Sequence, residues 1–264
     1  MKFANLNGII IHYSVEGPTD APAIIFANSL GSDFRIWSEV TEALKDRFKL
    51  IRYDKRGHGL SEAPSEPYSI EDHIADLSAL LDHLEVKSTI VVGLSVGGVI
   101  AQGLAGARPE LVRALVLCDT GHKIGDTEMW NSRITTIRAT GLQDAADSIL
   151  ERWFPPAFHQ TNPTDIRGWR SMVVRTPIEG YLGTCAALRD ADMTDIARSI
   201  SVPTLCVVGS EDAATVPELV QSTADLIPGA RFEVIKGSGH LPCIDNPGKL
   251  LQSITNFLSD NNLA

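Results

Sequence analysis

The chain alternates short apolar runs with longer stretches whose apolar residues recur at helical spacing. A run of four to eight apolar residues between turn-forming residues is typical of a strand that is covered on both faces. The predicted strands cover residues 23–27, 49–54, 89–93, 114–118, 204–209 and 231–235. A capping-box pattern at Ser69 and Asp72 begins an amphipathic helix that runs to about residue 84. This alternation predicts an α/β fold, a mostly parallel sheet with helices on both faces.

Two regions depart from the alternating pattern. Residues 3–15 surround Asn7-Gly8, which predicts a β-hairpin at the start of the chain. Between residues 120 and 200 the periodicity is helical, no strand is predicted, and three of the four tryptophans occur. We therefore expect a core formed by residues 1–119 and 201–264, with an all-helical cap inserted at residues 120–200 over one edge of the sheet.

Composition limits what the chain binds. The 264 residues carry a formal net charge of −10, which disfavours nucleic acid and anionic membranes as partners. No apolar run approaches the roughly eighteen residues that a membrane-spanning helix needs. The first residues lack the apolar core of an export signal, and the four cysteines form no Cys-x-x-Cys pair. We expect a cytoplasmic protein with buried thiols.

The stretch Gly93-Leu94-Ser95-Val96-Gly97 stands between an apolar strand and an apolar helix. Gly-x-Ser-x-Gly at such a junction is typical of a nucleophile elbow, in which a tight turn holds the serine Oγ above the sheet. A bare match to this pattern also occurs in ordinary turns. The strand-turn-helix context favours Ser95 as a catalytic nucleophile.

Two further residues stand where a serine nucleophile needs them. A serine hydroxyl requires a base, usually a histidine that a buried carboxylate orients. Asp212 and His240 each follow a predicted strand, as Ser95 does, and the carboxyl ends of parallel strands meet at one edge of the sheet. We expect a Ser95, Asp212, His240 triad, with Glu211 as the rival acid. The alternatives are a helix N-cap for Asp212 and a loop histidine for His240.

A tetrahedral intermediate also needs amides that bind its oxyanion. Val96, the residue after the nucleophile, is one candidate, and Leu30 in the loop after residues 23–27 is the other. That loop could equally be a plain tight turn. We interpret His58, in a glycine-rich turn beside Asp54 and Arg56, as structural, with the arginine pairing to a carboxylate to fix the loop.

The remaining histidines show neither the His-x-x-x-His nor the His/Cys spacing of zinc sites. No Gly-x-Gly-x-x-Gly follows the first predicted strand, so a dinucleotide site is not indicated. We predict no metal and no cofactor.

Together these motifs resemble the α/β-hydrolases that carry a helical cap. The resemblance rests on Asn28-Ser29-Leu30-Gly31, the Arg-x-Asp-x-Arg-Gly-His-Gly-x-Ser pattern of residues 52–61, the elbow, Asp212 and His240. Asn28-Ser29 replaces the His-Gly pair that is more frequent in this superfamily. With Trp130-x-x-Arg133-Ile134, Arg152-Trp153-Phe154 and residues 176–192, the chain resembles the 3-oxoadipate enol-lactonases, which act in bacterial breakdown of aromatic acids.

The resemblance implies a serine hydrolase that opens the lactone ester of 3-oxoadipate enol-lactone to 3-oxoadipate through an acyl-enzyme. Ser95 would attack the carbonyl, His240 would take its proton and Asp212 would stabilise the imidazolium. Because this small lactone is anionic, an acidic protein needs a cation in its pocket. Arg133, three residues after Trp130 and so on the same helical face, is the candidate, and a surface arginine beside a core tryptophan is the alternative.

Other activities fit the same motifs. The scaffold would also suit a broader carboxylesterase or a carbon–carbon bond hydrolase. A ligand-binding protein that keeps the triad but turns over slowly is a further alternative, as is a haloperoxidase-like side activity that uses the same serine.

Overall fold

The apolar runs form the strands of a single eight-stranded sheet in the computed structural model, which describes residues 1–263; Ala264, the last residue of the predicted core, lies outside them. The strands are β1 Lys2–Leu6, β2 Ile9–Glu16, β3 Ala23–Ala27, β4 Lys49–Tyr53, β5 Thr89–Leu94, β6 Val112–Cys118, β7 Thr204–Gly209 and β8 Arg231–Ile235. The helices are α1 Ser38–Leu44, α2 Ile70–His83, α3 Val96–Ala107, α4 Thr127–Trp153, α5 Pro156–Thr161, α6 Pro163–Val174, α7 Ile178–Asp190, α8 Thr194–Ser199, α9 Pro217–Leu226, α10 Pro242–Asp245 and α11 Pro247–Asp260.

The strand order is β1-β2-β4-β3-β5-β6-β7-β8. The β1–β2 and β2–β4 pairs are antiparallel and every other pair is parallel. The hairpin predicted at Asn7-Gly8 is present, and both turn residues have the positive φ angles that its tight turn requires. The carboxyl ends of β3 to β8 therefore meet along one edge of the sheet.

Two groups of helices cover the sheet, which confirms the predicted layering. The first group, α2, α3, α8 and α9, forms a chain of mutual contacts, and α3 packs against β3, β5 and β6. The second group, α1, α10 and α11, also packs together, and α11 lies against β7 and β8. All residues of β3, β5 and β7 are buried, as strands covered on both faces require.

Five helices, α4 to α8, occupy the connection between β6 and β7; we call them the helical insertion. In its first helix, α4, Gly141 has a φ of 81° and a non-helical ψ, so the helix is broken there. The second half of α4 therefore does not continue the direction of the first half.

Two further properties bear on the sequence-based expectations. None of the helices in residues 1–263 is both long enough and apolar enough to cross a bilayer. The four cysteines are all buried and unbridged, as their spacing suggested.

Candidate active site

The elbow turn forms because glycines flank the serine. Ser95 lies between β5 and α3 with φ 57° and ψ −120°, a backbone conformation that L-residues rarely adopt. A Cβ on Gly97 would lie 2.2 Å from the Ala27 carbonyl oxygen, and one on Gly93 would lie 2.3 Å from the Gly97 carbonyl oxygen. These close approaches require glycine at both positions. Thr120 Oγ1 further fixes the turn by donating to the Ser95 carbonyl oxygen at 2.6 Å.

Asp212 and His240, which follow β7 and β8, are in direct contact. His240 Nδ1 lies 2.9 Å from Asp212 Oδ2, and both side chains are almost fully buried. The hydroxyl of Thr215 donates to Oδ2 at 2.6 Å, while the amides of Ala214 and Thr215 donate to Oδ1 at 2.7 and 3.0 Å. Burial would raise the pKa of Asp212, but His240 and Thr215 outweigh it and lower that pKa below its ordinary value. The carboxylate is therefore held ionised and oriented towards His240.

The other imidazole nitrogen faces the cavity that contains Ser95. Ser29 Oγ lies 3.4 Å from His240 Nε2, whereas within residues 1–263 the Ser95 hydroxyl makes no hydrogen bond to this nitrogen. Catalytic hydrogen bonds are often long before substrate binds and shorten in the Michaelis complex. The sequence motif that contains Ser29 predicts no role for its hydroxyl, which the structure brings to the histidine.

The loop that carries Leu30 is held from several sides. Asn28 Nδ2 donates to the Tyr53 carbonyl oxygen at 2.9 Å, and Trp37 Nε1 donates to Asn28 Oδ1 at 3.1 Å. The buried Lys55 Nζ donates to the carbonyl oxygens of Ser29 and Ser32, at 2.6 and 3.3 Å. Burial lowers the pKa of Lys55 to about 7, although Asp54 and Asp33 act in the opposite direction.

These anchors leave the amide of Leu30 available. Within the described chain, the Leu30 and Val96 amides donate to no protein acceptor, and Val96 is the first residue of α3, where a helix N–H has no intrahelical partner. Leu30 lines the same cavity as Ser95 and His240. The two amides are therefore suited to bind an anionic oxygen.

His58 occupies a structural position behind this loop. The Gly31 amide donates to His58 Nε2 at 3.0 Å, so the proton is on Nδ1, which donates to the Arg56 carbonyl oxygen at 3.1 Å. Burial, followed by the charge of Lys55, lowers the pKa of His58 well below its ordinary value. The ring is a neutral support for the loop.

Arg56, close to His58 in sequence, forms its ion pair with Asp76 and not with the nearby Asp54. Arg56 binds Asp76 of α2 in a bidentate pair, with distances of 2.6 and 2.8 Å. Asp54 instead contacts His12 Nδ1 at 2.7 Å. The arginine therefore links the loop to α2. Asp76 is twenty residues further along the chain, so this pairing cannot be recognised from neighbouring residues in the sequence.

The cavity at Ser95 has a volume of about 160 Å³ and contains two arginines. The Arg133 guanidinium lies 5.5 Å from the ring centre of Trp130 and 5.9 Å from that of Tyr181. Arg152 lies in the same cavity, and burial followed by the charge of Arg133 lowers its pKa. No acidic side chain from residues 1–263 lines the cavity or pairs with either arginine.

The helical insertion also supports the catalytic loop. The Trp153 carbonyl oxygen at the end of α4 accepts the His240 amide at 2.8 Å. Trp130 is almost fully buried and donates through Nε1 to the Ile124 carbonyl oxygen at 2.6 Å, so its ring is fixed as a wall of the cavity. The position of His240 therefore depends on the insertion as well as on the sheet.

Besides Ser29, three groups near the site have no predicted role in the sequence-based interpretation. Arg152 lies in the Arg152-Trp153-Phe154 motif, which predicts no role for it, and Lys55 carries no motif signal. Asp119 directly follows β6, which is the same signal that identified Asp212, and facing atoms of Asp119, Asp212 and His240 lie within 4.8 Å of one another. This cluster could offer ligands to a metal, but Asp212 and His240 already use their facing atoms on each other.

Comparison with known proteins gives a consistent set of relatives. A family model described as the alpha/beta hydrolase family matches residues 24–252. Two proteins of Acinetobacter baylyi, 3-oxoadipate enol-lactonase 2 and 3-oxoadipate enol-lactonase 1, are each 33% identical to this chain. The first alignment covers 90% of this chain and 89% of the relative, and the second covers 98% and 96%. The crystal structure of the enol-lactonase from Burkholderia xenovorans LB400 is 34% identical, with a TM-score of 0.95 over 98% of this chain and 100% of that one.

Proposed function

The chain belongs to the alpha/beta hydrolase family, and from this premise we propose that it hydrolyses 3-oxoadipate enol-lactone to 3-oxoadipate by a serine mechanism. Relatives named for that activity support the choice of substrate. The observation that carries the proposal is a single small cavity that Ser95, the paired His240 and two arginines line, the arginines having no acidic partner among residues 1–263.

Acylation begins at Ser95. Its Oγ attacks the lactone carbonyl while His240 Nε2 takes the hydroxyl proton, and the Asp212 carboxylate stabilises the imidazolium that forms. The carbonyl oxygen becomes an oxyanion and accepts hydrogen bonds from the Leu30 and Val96 amides, an interaction worth several kcal/mol in enzymes of this kind.

Ring opening follows as the tetrahedral intermediate collapses. The bond between the carbonyl carbon and the ring oxygen breaks, and the oxygen leaves as an enolate that His240 protonates. The leaving group is a stabilised enolate, so departure is easier than that of a simple alkoxide. Tautomerisation of the enol to the ketone then disfavours reclosure of the ring.

A water molecule completes the cycle. His240, neutral again, removes a proton from the water as it attacks the acyl-enzyme carbonyl. The same two amides bind the second oxyanion, and collapse returns the proton to Ser95 Oγ. In total, one lactone and one water give one molecule of 3-oxoadipate, and the enzyme is regenerated.

The two arginines supply the charge that an anionic substrate requires. Guanidinium groups bind carboxylates in bidentate fashion, and Arg133 and Arg152 both line the cavity that would hold the substrate carboxylate. The cavity is smaller than the range of about 300–1,000 Å³ that is usual for drug-sized ligands, so it suits a compact substrate.

Hydrolysis of the enol-lactone by wild type and by Ser95→Ala tests the proposal. We expect the wild type to prefer the lactone to a neutral aryl ester and a vinylogous diketone. Ser95→Ala should lose at least about a thousandfold in kcat, as loss of a nucleophile does in serine hydrolases.

Other results would reassign the activity. Turnover of the aryl ester or the diketone without the lactone would reject the substrate and favour an esterase or a carbon–carbon hydrolase. Labelling of Ser95 by a fluorophosphonate without multiple turnover of any substrate would favour a ligand-binding protein.

A further inference from the structure

A second buried carboxyl group lies beside the proposed triad. Asp119 follows β6 directly, has no solvent exposure and adopts a φ of 46°, a strained value for a residue other than glycine. Its amide donates to the Val207 carbonyl oxygen at 2.8 Å, and its Oδ1 accepts the Gly209 amide at 2.9 Å. These two bonds fix Asp119 between the ends of β6 and β7.

The second carboxyl oxygen of Asp119 has no such partner in the described part of the chain. Oδ2 of Asp119 is buried and has no hydrogen-bond donor among residues 1–263. One carboxyl oxygen of Asp119 lies within 4.8 Å of a carboxyl oxygen of Asp212 and of a ring nitrogen of His240. Two buried carboxyl groups this close cannot both ionise without a large electrostatic cost, and a hydrogen bond between them requires a proton on one of them.

The surroundings indicate which group holds the proton. Asp212 accepts four other hydrogen bonds from Ala214, Thr215 and His240, all of which favour the carboxylate form. Asp119 accepts one, from Gly209. Burial and then the negative charge of Asp212 raise the pKa of Asp119 well above its ordinary value.

We propose that Asp119 is a positioning residue that stays protonated and donates its carboxyl O–H to the Asp212 carboxylate. The pair then carries one negative charge opposite His240. The donated bond holds the Asp212 carboxylate in the orientation in which it accepts from His240 Nδ1. This role rests on one part of the proposed function, the participation of Asp212 and His240 in catalysis.

Infrared spectroscopy tests the proton directly and needs no substrate. At pH 8 the protein should show a carbonyl stretch of a protonated carboxylic acid that is absent from Asp119→Asn. Asp245, whose pKa burial raises to about 6, is the other buried acid nearby and is ionised at that pH. Absence of the band in the wild type, or its persistence in Asp119→Asn, would overturn the proposal.

Kinetics tests the role. Asparagine tolerates the left-handed backbone and replaces the O–H donor by an N–H donor, whereas glycine tolerates that backbone and removes the donor. We expect Asp119→Asn to keep kcat within about threefold, and Asp119→Gly to lose about tenfold in kcat with little change in KM, as loss of one hydrogen bond to a charged group predicts. Any hydrolysed aryl ester serves as substrate, so failure of the lactone assignment would not affect the result.

The double variant separates positioning from general structural support. If Asp119 acts through the Asp212 charge, Asp119→Gly should cost almost nothing further in an Asp212→Asn background. A tenfold cost in both backgrounds would mean that Asp119 only supports the fold. An increased cost in the Asp212→Asn background would mean that Asp119 acts as an acid on His240 itself, and either result would reject the proposal.

Discussion

At the scale of single residues, position after a strand is the signal that identified Ser95, Asp212 and His240. Each follows a parallel strand, and the topology brings the carboxyl ends of those strands together. The same rule applies to Asp119, which the sequence does not single out because it has no motif of its own. Its proximity to Asp212 comes from the pairing of β6 with β7 and could not be predicted from local sequence.

The first prediction at this scale concerns the two arginines of the cavity, Arg133 and Arg152. Arg133→Ala and Arg152→Ala should each lower kcat/KM for the anionic lactone by about 10- to 100-fold, because a hydrogen bond to a charged group is worth about 1.5–3 kcal/mol. Hydrolysis of a neutral phenyl ester should change less than about threefold. The measurement is the ratio of kcat/KM values for the two substrates.

A matched control for this comparison lies on the same helix. Arg138 of α4 is exposed and pairs with Glu66, outside the cavity, so Arg138→Ala should leave both substrates unaffected. Equal losses on lactone and ester in the cavity variants would contradict a role for Arg133 and Arg152 in carboxylate binding.

At the scale of elements, the strands were predictable because β3, β5, β6 and β7 are short apolar runs that need no tertiary information to recognise. The placement of Arg152 was not predictable. The positive φ of Gly141 interrupts α4, so helical periodicity cannot relate residues after the break to Arg133 before it. Only tertiary packing brings Arg152 into the cavity.

The second prediction concerns Lys55, which holds the loop from Asn28 to Ser32. The folded-state pKa of about 7 lies below the value of about 10.4 for an unfolded lysine. Between these values the unfolded chain binds one more proton at this residue, so the stability that Lys55 contributes rises with pH, by at most about 1.4 kcal/mol per pH unit. Below pH 7 both states are protonated and the contribution is constant at its lowest level.

Comparison with Lys55→Met isolates this effect. The free energy of unfolding of the wild type relative to the variant should increase by about 1–3 kcal/mol between pH 7 and pH 9. The variant should also lose kcat, because the carbonyl oxygens of Ser29 and Ser32 lose their shared donor and the Leu30 amide is less well fixed. A stability difference independent of pH would contradict the shifted pKa.

At the scale of the whole molecule, an acidic protein places two arginines beside its candidate nucleophile. The chain has a net charge of −10, yet the cavity at Ser95 is lined by two arginines and by no acidic side chain in residues 1–263. The core supplies Ser95 and His240, and the helical insertion supplies the arginines. In the proposed function, the sheet therefore provides the chemistry and the insertion selects the substrate.

The central claim is that the lactone becomes covalently attached to Ser95, and the mass of the protein during turnover tests it most directly. Because the leaving oxygen remains tethered after ring opening, the acyl-enzyme should gain the mass of the entire lactone. Rapid acid quenching in a single turnover should give this adduct on the peptide that contains Ser95, and it should be absent from Ser95→Ala. Lactone hydrolysis by the wild type without any such adduct, or with equal hydrolysis by Ser95→Ala, would contradict the serine mechanism.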